Sequence, residues 1–191
     1  MNRIGMKILF YVIIFVIFVT APRLFAAESV RVDYSQKSKF SFPFGKSYDY
    51  ADILVKRVVD GDTLQLKSGE RVRLIGIDTP EMHESNKLRR DSRESGRDIA
   101  TIIALGKRSY KFTRGLVEGK RVRLEFDVEK YDIYGRLLAY VYLHNGIFVN
   151  AKIIEEGFAS LMTIPPNVKH ADLFLKLYQE ARANQRGLWK E

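Results

Sequence analysis

The sequence predicts a mainly β domain with helices, an α+β fold in which about three α-helices pack against a small five-stranded barrel. Three observations indicate this fold. Three short runs rich in β-branched residues follow one another with tight turns between them, as the strands of a meander do. A segment with helical periodicity comes only after the third run, and two further strand-like runs follow it. A helix between two groups of strands favours a barrel over a sheet built from βαβ units.

The first three predicted strands form the meander. Residues 53–59 are mostly β-branched, residues 63–67 alternate, and residues 71–77 alternate apolar residues with Arg and Gly. The triplets DGD (60–62) and SGE (68–70) separate these runs, and both have the composition of tight turns. The sequence therefore predicts three consecutive antiparallel strands.

The rest of the chain supplies the helices and the last two strands. Apolar residues spaced three and four apart predict a helix over residues 99–117. Residues 120–128 and 137–143 predict the fourth and fifth strands. Asn150 is expected to cap a short helix, and one apolar face predicts a last helix over residues 171–185.

The N-terminal residues differ in composition from the rest. Residues 1–27 combine early positive charges, a 14-residue apolar run and small residues at Ala26 and Ala27, which is the pattern of a secretory signal peptide. The apolar run is shorter than the roughly 20 residues that a membrane helix needs, and an uncleaved N-terminal membrane anchor is the alternative. Residues 28–50 predict a polar linker or arm, and residues 51–191 the folded domain. We therefore expect a protein that is secreted or at the cell envelope, and membrane-anchored if the leader is not cleaved.

Composition limits the chemistry. The 191 residues include no cysteine, which excludes disulfides and thiolate metal sites. The three histidines lie far apart without zinc spacing, so any metal would be held by oxygen, which favours calcium or magnesium. The net charge is +9 and the pI calculated from the sequence is about 9.7. Such a basic chain attracts nucleic acid, with a solvated surface or anionic lipid as the alternatives.

Four carboxylates lie at the ends of predicted strands. Asp60 and Asp62 lie in the first turn, and Asp78 and Glu81 follow the third strand. If the second strand pairs with the third, Asp62 and Asp78 meet at one end of the sheet, where they repel unless a cation or a proton lies between them. A hard divalent ion would resolve that repulsion, and the carbonyl of Thr79 could add a ligand. Each group alone is also compatible with a simple turn or strand terminator.

Two arginines accompany these acids. Arg73 precedes Asp78 by five positions, so an ideal strand would place the two side chains on opposite faces. The curl of a small barrel or a bulge would reconcile them. Arg136 follows Gly135, which permits a tight turn. A lone arginine is usually solvated, but a guanidinium beside a carboxylate-held metal can bind phosphate oxygens in pairs and never loses its charge.

Four segments together resemble the thermonuclease (staphylococcal nuclease-like) family: VVDGDTLQL, VRLIGIDTPE, YDIYGRLLAYVYL and VNAKIIEEGFA. They occur in order and with compatible spacing, and the resemblance extends over residues 53–189. It implies an OB-fold barrel with helices packed against it. It also implies calcium-dependent, largely sequence-non-specific hydrolysis of DNA and RNA phosphodiester bonds by metal-assisted attack of water, leaving 3′-phosphate ends.

The resemblance also implies a metal site. Asp62, Asp78 and the carbonyl of Thr79 match the family's calcium ligands. Asp60 matches an acid in the outer shell of the ion, which can hold a water bound to it. The cofactor implied is therefore Ca²⁺.

Four further positions match residues that act on the substrate. Glu81 matches the proposed general base, which would orient or deprotonate the attacking water. Arg73 and Arg136 match two catalytic arginines that clamp the phosphate. Tyr134 matches a hydrogen-bond donor to phosphate, so the expected substrates are DNA and RNA.

Three features depart from the family's pattern. Ile133 stands where the family has a lysine, and residues 160–166 lack the tyrosines that often pack near the bound nucleotide. Residues 82–97 form a longer segment than the family's, and they are rich in arginine. These arginines either follow the nucleic-acid backbone or lie on a solvated charged loop.

Three functions are compatible with these residues. The first is an exported, calcium-dependent nuclease that acts as a monomer and needs no protein partner. The second is a non-catalytic nucleic-acid-binding OB-fold module at the cell envelope. The third is an envelope-anchored interaction domain. The acids and both arginines favour the first, because binding alone gains nothing from carboxylates that repel a phosphate.

Overall fold

The structure is a computed structural model that describes residues 49–190. The predicted leader over residues 1–27 lies outside the described residues, as does the predicted arm as far as residue 48. Between residues 49 and 190, no helix combines the length and the apolar character that crossing a membrane requires.

The described residues form seven strands, of which five close a barrel. The strands are β1 (Ile53–Asp60), β2 (Thr63–Leu66), β3 (Arg71–Leu74), β4 (Gly76–Asp78), β5 (Arg121–Glu125), β6 (Leu137–Leu143) and β7 (Ser160–Met162). The barrel order in this part of the chain is β1-β2-β3-β6-β5, which confirms the predicted α+β class and five-stranded OB-fold barrel. The antiparallel order predicted for the first three strands is confirmed, whereas β3 and β6 pair in parallel, with Val72 opposite Leu137.

Inward-facing side chains of the barrel strands build the core. Val55, Leu64, Leu66 and Val72 are all buried. Burial of a side chain of this size contributes about 1.5–3 kcal/mol. Because a slip by one residue would turn these side chains to solvent, the core fixes the register of β2 against β3 and so the position of the residues at their ends.

The third predicted strand is broken into two pieces. β3 stays in the barrel, whereas β4 leaves it and pairs antiparallel with β7 in a separate two-stranded sheet. The break lies at Ile75, next to Gly76, whose φ is +83°, a conformation that glycine adopts without strain. A side chain at this position would also collide with the ring of Phe174. The break redirects the chain just before Asp78, which decides where that carboxylate lies.

The described residues contain four α-helices, one more than predicted. They are α1 (Asn86–Ser95), α2 (Ile99–Val117), α3 (Val149–Glu155) and α4 (Ala171–Ala183), and a 3-10 turn follows at Gly187–Trp189. The additional helix is α1, which lies in the charged segment over residues 82–97. The side chain of Ser85 accepts a hydrogen bond from the Leu88 N–H at its start, and Gly96 ends it with φ of 69°. Both are ordinary helix caps.

The sequence predicted that Asn150 caps α3, but in the structure it does not. The helix begins at Val149, and the buried side chain of Asn150 instead accepts a hydrogen bond from Val141 N and donates one to Ile75 O. These bonds join the helix to β6 and to the residue between β3 and β4. The prediction failed because the same amide that can cap a helix can also satisfy buried backbone groups of other elements.

Candidate active site

Arg73 connects the two separate acidic turns. Its Nη2 lies 2.8 Å from Oδ1 of Asp78 and donates a hydrogen bond of 3.1 Å to Ile77 O, while its Nη1 pairs with Oδ2 of Asp62. Asp62 and Asp78 therefore lie on one guanidinium. The break at Gly76 explains how Arg73 reaches Asp78 despite their spacing of five positions, because the two residues no longer share one straight strand.

Hydrogen bonds hold the carboxylate of Asp62 in a fixed orientation. Its Oδ2 accepts bonds of 3.0 Å from both the N–H and the hydroxyl of Thr79, and its Oδ1 accepts one of 3.0 Å from the hydroxyl of Thr63. Asp62 is buried, with 4% of its surface exposed. A buried carboxylate is tolerated only where donors and a positive charge compensate it, and here Thr79 and Arg73 supply them.

Asp60 lies at the end of β1, close to the same charges. Its Oδ1 accepts a hydrogen bond of 2.8 Å from Gly61 N. Burial raises the pKa of Asp60, the bond from Gly61 lowers it and the charge of Glu81 raises it further, with a net rise. Lys87 and Arg73 act in the opposite direction. Asp60 therefore lies close enough to Glu81, Lys87 and Arg73 for their charges to act on it.

Lys87 is the cation in this cluster that the sequence prediction missed. Its Nζ lies 2.9 Å from Oδ1 of Asp78, 3.1 Å from Oε1 of Glu81 and 3.3 Å from the carbonyl oxygen of Thr79. The residue lies in the first turn of α1. The signal that could have found it is Ser85, because a serine cap in a charged segment predicts that a helix starts there and carries Lys87 back towards the acids.

The loop that carries Glu81 packs directly on α2. A Cβ atom at Gly106 would lie 2.6 Å from Pro80 O and 2.5 Å from Glu81 O, so only glycine permits this approach of helix and loop. From the same helix, the hydroxyl of Thr113 donates a hydrogen bond of 2.7 Å to Gly61 O. One helix therefore supports both acidic turns.

Arg136 is held by its own turn. Its Nε lies 2.6 Å from Oδ2 of Asp132, whose Oδ1 accepts hydrogen bonds of 2.9 Å from the backbone N–H groups of Tyr134 and Arg136. Burial raises the pKa of the Asp132 carboxyl, but the hydrogen bonds from Arg136 outweigh it and the net pKa is lowered. The sequence prediction missed this role of Asp132, although an acid four positions before an arginine across a glycine turn was the available signal.

The parallel pairing of β3 and β6 brings the two arginines to the same region. Arg136 immediately precedes Leu137, which lies opposite Val72, the neighbour of Arg73. Burial lowers the pKa of Arg73, Asp78 raises it, and the positive charge of Arg136 lowers it further. The side chain of Tyr134 is largely exposed, with the guanidinium of Arg136 5.4 Å from its ring centre. An exposed tyrosine and two guanidinium groups suit an anionic ligand.

Comparison with known proteins agrees with these features. A family described as "Staphylococcal nuclease homologue" matches residues 71–191. The chain belongs to the staphylococcal nuclease family. The match includes Asp78, Glu81 and Arg136, whereas Asp60 and Asp62 precede it.

Three relatives are similar to this chain over most of their own length. The chain is 41% identical to a thermonuclease of Staphylococcus intermedius over 149 residues, which is 76% of this chain and 77% of the relative. It is 33% identical to a thermonuclease of Staphylococcus hyicus, over 71% of this chain and 73% of the relative. Endonuclease YncB of Bacillus subtilis is 30% identical over 83% of this chain and 72% of its own.

The family's metal suits the oxygen atoms of this site. Within residues 49–190, no group of three or more His, Cys, Asp or Glu side chains is arranged to hold a metal ion. The ligand set that the family implies needs only two carboxylates, Asp62 and Asp78, together with the carbonyl of Thr79. Hard oxygen atoms of these kinds are the ligands calcium takes. Oxygens of Asp78, Thr79 and Glu81 already converge on the one cationic nitrogen of Lys87, so their placement fits a cation.

The departures from the family's pattern lie at the edges of the site. Ile133 projects into solvent with 91% of its surface exposed, next to Tyr134. In the segment that lacks tyrosines, the hydroxyl of Ser160 donates a hydrogen bond of 3.1 Å to Asp78 O. The first departure therefore lies on the exposed turn that carries Tyr134, whereas Ser160 supports the backbone of an acidic residue.

Proposed function

We propose that this chain is a calcium-dependent, largely sequence-non-specific nuclease that hydrolyses DNA and RNA and leaves 3′-phosphate ends. Membership of the staphylococcal nuclease family, with relatives named as thermonucleases and endonucleases, makes the chain a nuclease and therefore a phosphodiesterase. Nucleic acid is its substrate. The observation that carries the finer proposal is the single guanidinium of Arg73 that joins Asp62 and Asp78.

The arginines act on the phosphate. A phosphodiester is anionic and repels an attacking nucleophile, and more negative charge develops on its oxygens in the transition state. Arg73 and Arg136 lie where they can hold that charge, and the planar guanidinium can bind two oxygens at once. Arg136 is oriented before the substrate binds, because Asp132 fixes its Nε at 2.6 Å. Tyr134 adds an exposed hydroxyl on the same turn.

Calcium would be held by Asp62, Asp78 and the carbonyl of Thr79, where it would neutralise charge on the phosphate and orient a phosphoryl oxygen. Asp62 is suited to this task because three hydrogen bonds fix its two oxygens. Asp60 would lie in the outer shell of the ion. These residues present oxygen atoms only, which distinguishes a hard cation from zinc or copper.

Glu81 is the proposed base. Water that attacks phosphorus must lose a proton, and a carboxylate within reach can orient the water or take that proton. Attack followed by cleavage of the bond between phosphorus and the 5′ oxygen leaves the phosphate on the 3′ side. The loop that carries Glu81 is held against α2 at Gly106, so the position of the base depends on helix packing.

A digestion assay tests this function. The purified chain should degrade single-stranded DNA with calcium present and stop when a chelator is added, and the products should carry 3′-phosphate. Glu81→Gln should lower turnover by at least about 100-fold, while nucleic-acid binding is largely retained. Turnover unchanged by this substitution would refute the role of Glu81. DNA binding without any cleavage at any calcium concentration would favour a non-catalytic module instead.

We also propose that the leader directs export. The pattern in residues 1–27 supports a secreted or envelope-held monomer. Fractionation of cells tests the location: activity in the medium indicates cleavage of the leader, activity in the membrane fraction indicates an uncleaved anchor, and activity confined to the cytoplasm contradicts export.

A further inference from the structure

Lys87 contacts the oxygens that the proposed function assigns to a divalent ion and to the base. Its Nζ is 2.9 Å from Asp78 Oδ1 and 3.3 Å from Thr79 O, which are two of the three implied calcium ligands. The same nitrogen is 3.1 Å from Oε1 of Glu81. An ammonium is a compact positive charge with three donors, and here it has three acceptors, each from a different residue.

The helix fixes where this ammonium lies. Ser85 caps α1 two positions before Lys87, and the next residue, Leu88, is fully buried. The backbone of Lys87 is therefore anchored on both sides. Its side chain is only 25% exposed, so water and salt screen its charge less than they would on an open surface. The ammonium is thus a built part of the acidic cluster.

We infer that Lys87 is a tethered competitor of the divalent cation, whose displacement by the ion also releases Glu81. The inference rests on the proposed function. Calcium binds oxygen at about 2.3–2.6 Å, and an ion on Asp78 Oδ1 and Thr79 O would lie next to Nζ. An ion bound to both of these oxygens would take the place of Nζ, which contacts the same two atoms, and a divalent ion that close to an ammonium repels it strongly. Arg73 also contacts Asp78 Oδ1, but it is held by Asp62 and Ile77 O as well. The ammonium therefore leaves when the ion binds, and its contact with Glu81 is lost with it.

Two consequences follow from this competition. The ammonium offsets part of the charge of Asp78 and Glu81 until a divalent ion replaces it, so the repulsion among the acids is reduced. It also weakens ion binding, because the ion must displace it. Glu81 is consequently free of its ion pair with Lys87 only when the divalent ion is bound. Binding of the metal is in this way coupled to the availability of Glu81 as a base.

Calcium titration of the full chain by calorimetry tests the competition. Lys87→Met and Lys87→Gln remove the charge, and Lys107→Met makes the same change on an exposed position of α2. Both Lys87 variants should bind calcium at least about tenfold more tightly than wild type, since the ion no longer has to displace an ammonium from Asp78 and Glu81. The attraction between unit charges a few ångströms apart has at least this effect even at an effective dielectric constant near 20. Lys107→Met should bind within about twofold of wild type, because Lys107 is exposed and water and salt screen its charge.

Chemical labelling of wild type gives a second measurement that needs no variant. An amine-reactive reagent with mass-spectrometric readout should modify Lys87 several times faster with calcium than with chelator, while labelling of Lys107 stays constant. Calcium affinity equal in wild type and both Lys87 variants would overturn the inference, and so would labelling of Lys87 that calcium does not change. If neither wild type nor any variant bound calcium, both the competition and the proposed calcium dependence would be overturned. If all of them bound calcium equally well, only the competition would be refuted.

Discussion

Two glycines on α2 provide a matched pair for testing whether helix packing positions Glu81, the proposed base. A Cβ atom at Gly106 would lie 2.5 Å from Glu81 O, whereas carbon–oxygen contacts normally lie at about 3.3–3.6 Å. The loop and the helix would therefore have to separate by about 1 Å, and overpacking of this kind costs about 1–3 kcal/mol. At Gly115 of the same helix a Cβ meets nothing within 4 Å. Within a helix, alanine stabilises the fold by about 1 kcal/mol relative to glycine. Both variants contain this same exchange, so the gain nearly cancels when their stabilities are compared.

The expected results for Gly106→Ala and Gly115→Ala therefore have opposite signs. Gly115→Ala should raise the free energy of unfolding by about 0.5–1 kcal/mol and leave activity unchanged. Gly106→Ala should be less stable than Gly115→Ala by about 1–3 kcal/mol, and it should lose up to about 100-fold in kcat, because a shift of 1 Å in a catalytic group has that effect. Urea unfolding followed by fluorescence of Trp189, the one tryptophan in the chain, gives the stabilities. If Gly106→Ala were as stable and as active as Gly115→Ala, the close packing would not position Glu81.

Three further substitutions test individual contacts. Arg136→Lys should lower kcat by about 100-fold or more, because an ammonium cannot reproduce the planar two-point contact; wild-type activity in this variant would count against the clamp. Asp132→Asn should lower the free energy of unfolding by about 1–3 kcal/mol at neutral pH, since its hydrogen bonds to Arg136 lower the pKa of the carboxyl. A carboxyl whose pKa is lowered by folding stabilises the fold at pH values above the usual carboxyl pKa of about 3.9, and this stabilisation is lost as pH falls through the folded-state pKa. The difference in unfolding free energy between wild type and Asp132→Asn should therefore shrink in acid. A difference that does not change with pH would contradict the ion pair. Asn150→Leu should cost about 2–4 kcal/mol, because Val141 N–H and Ile75 C=O lose their partner, and an unchanged urea midpoint would show that those groups find other partners.

Much of the barrel could be predicted from the sequence because its signals are local. The turn triplets at 60–62 and 68–70 and the alternation around them define β1 to β3, and helical spacing predicted α2 over the residues that the structure assigns to it. The parallel pairing of β3 and β6 could not be predicted, because the residue pattern of a strand does not indicate which distant strand it pairs with. The break next to Gly76 was equally hidden, because the ring of Phe174 that packs against this glycine comes from the other end of the chain.

The candidate site divides in the same way. Motif and spacing were enough to single out Asp62, Asp78 and Arg73, and the structure brings their side chains together. Lys87 and Asp132 were missed, because their roles arise from partners rather than from a pattern of their own. Lys87 belongs to the site because it lies in the first turn of α1. The sequence of a charged segment gives little indication of which of its many cations turns inward.

The parallel ladder between β3 and β6 also determines when during synthesis the molecule could first cut nucleic acid. All four acidic side chains of the cluster are translated early, between residues 60 and 81, but Arg136 emerges much later and comes near Arg73 only when β6 docks beside β3. Closing so large a loop is slow, because its entropy must be lost before the new contacts form. A nascent chain that already carries every acid therefore lacks its second guanidinium. If Arg136 acts on the phosphate as proposed, the ability to cut would come only with the docking of β6.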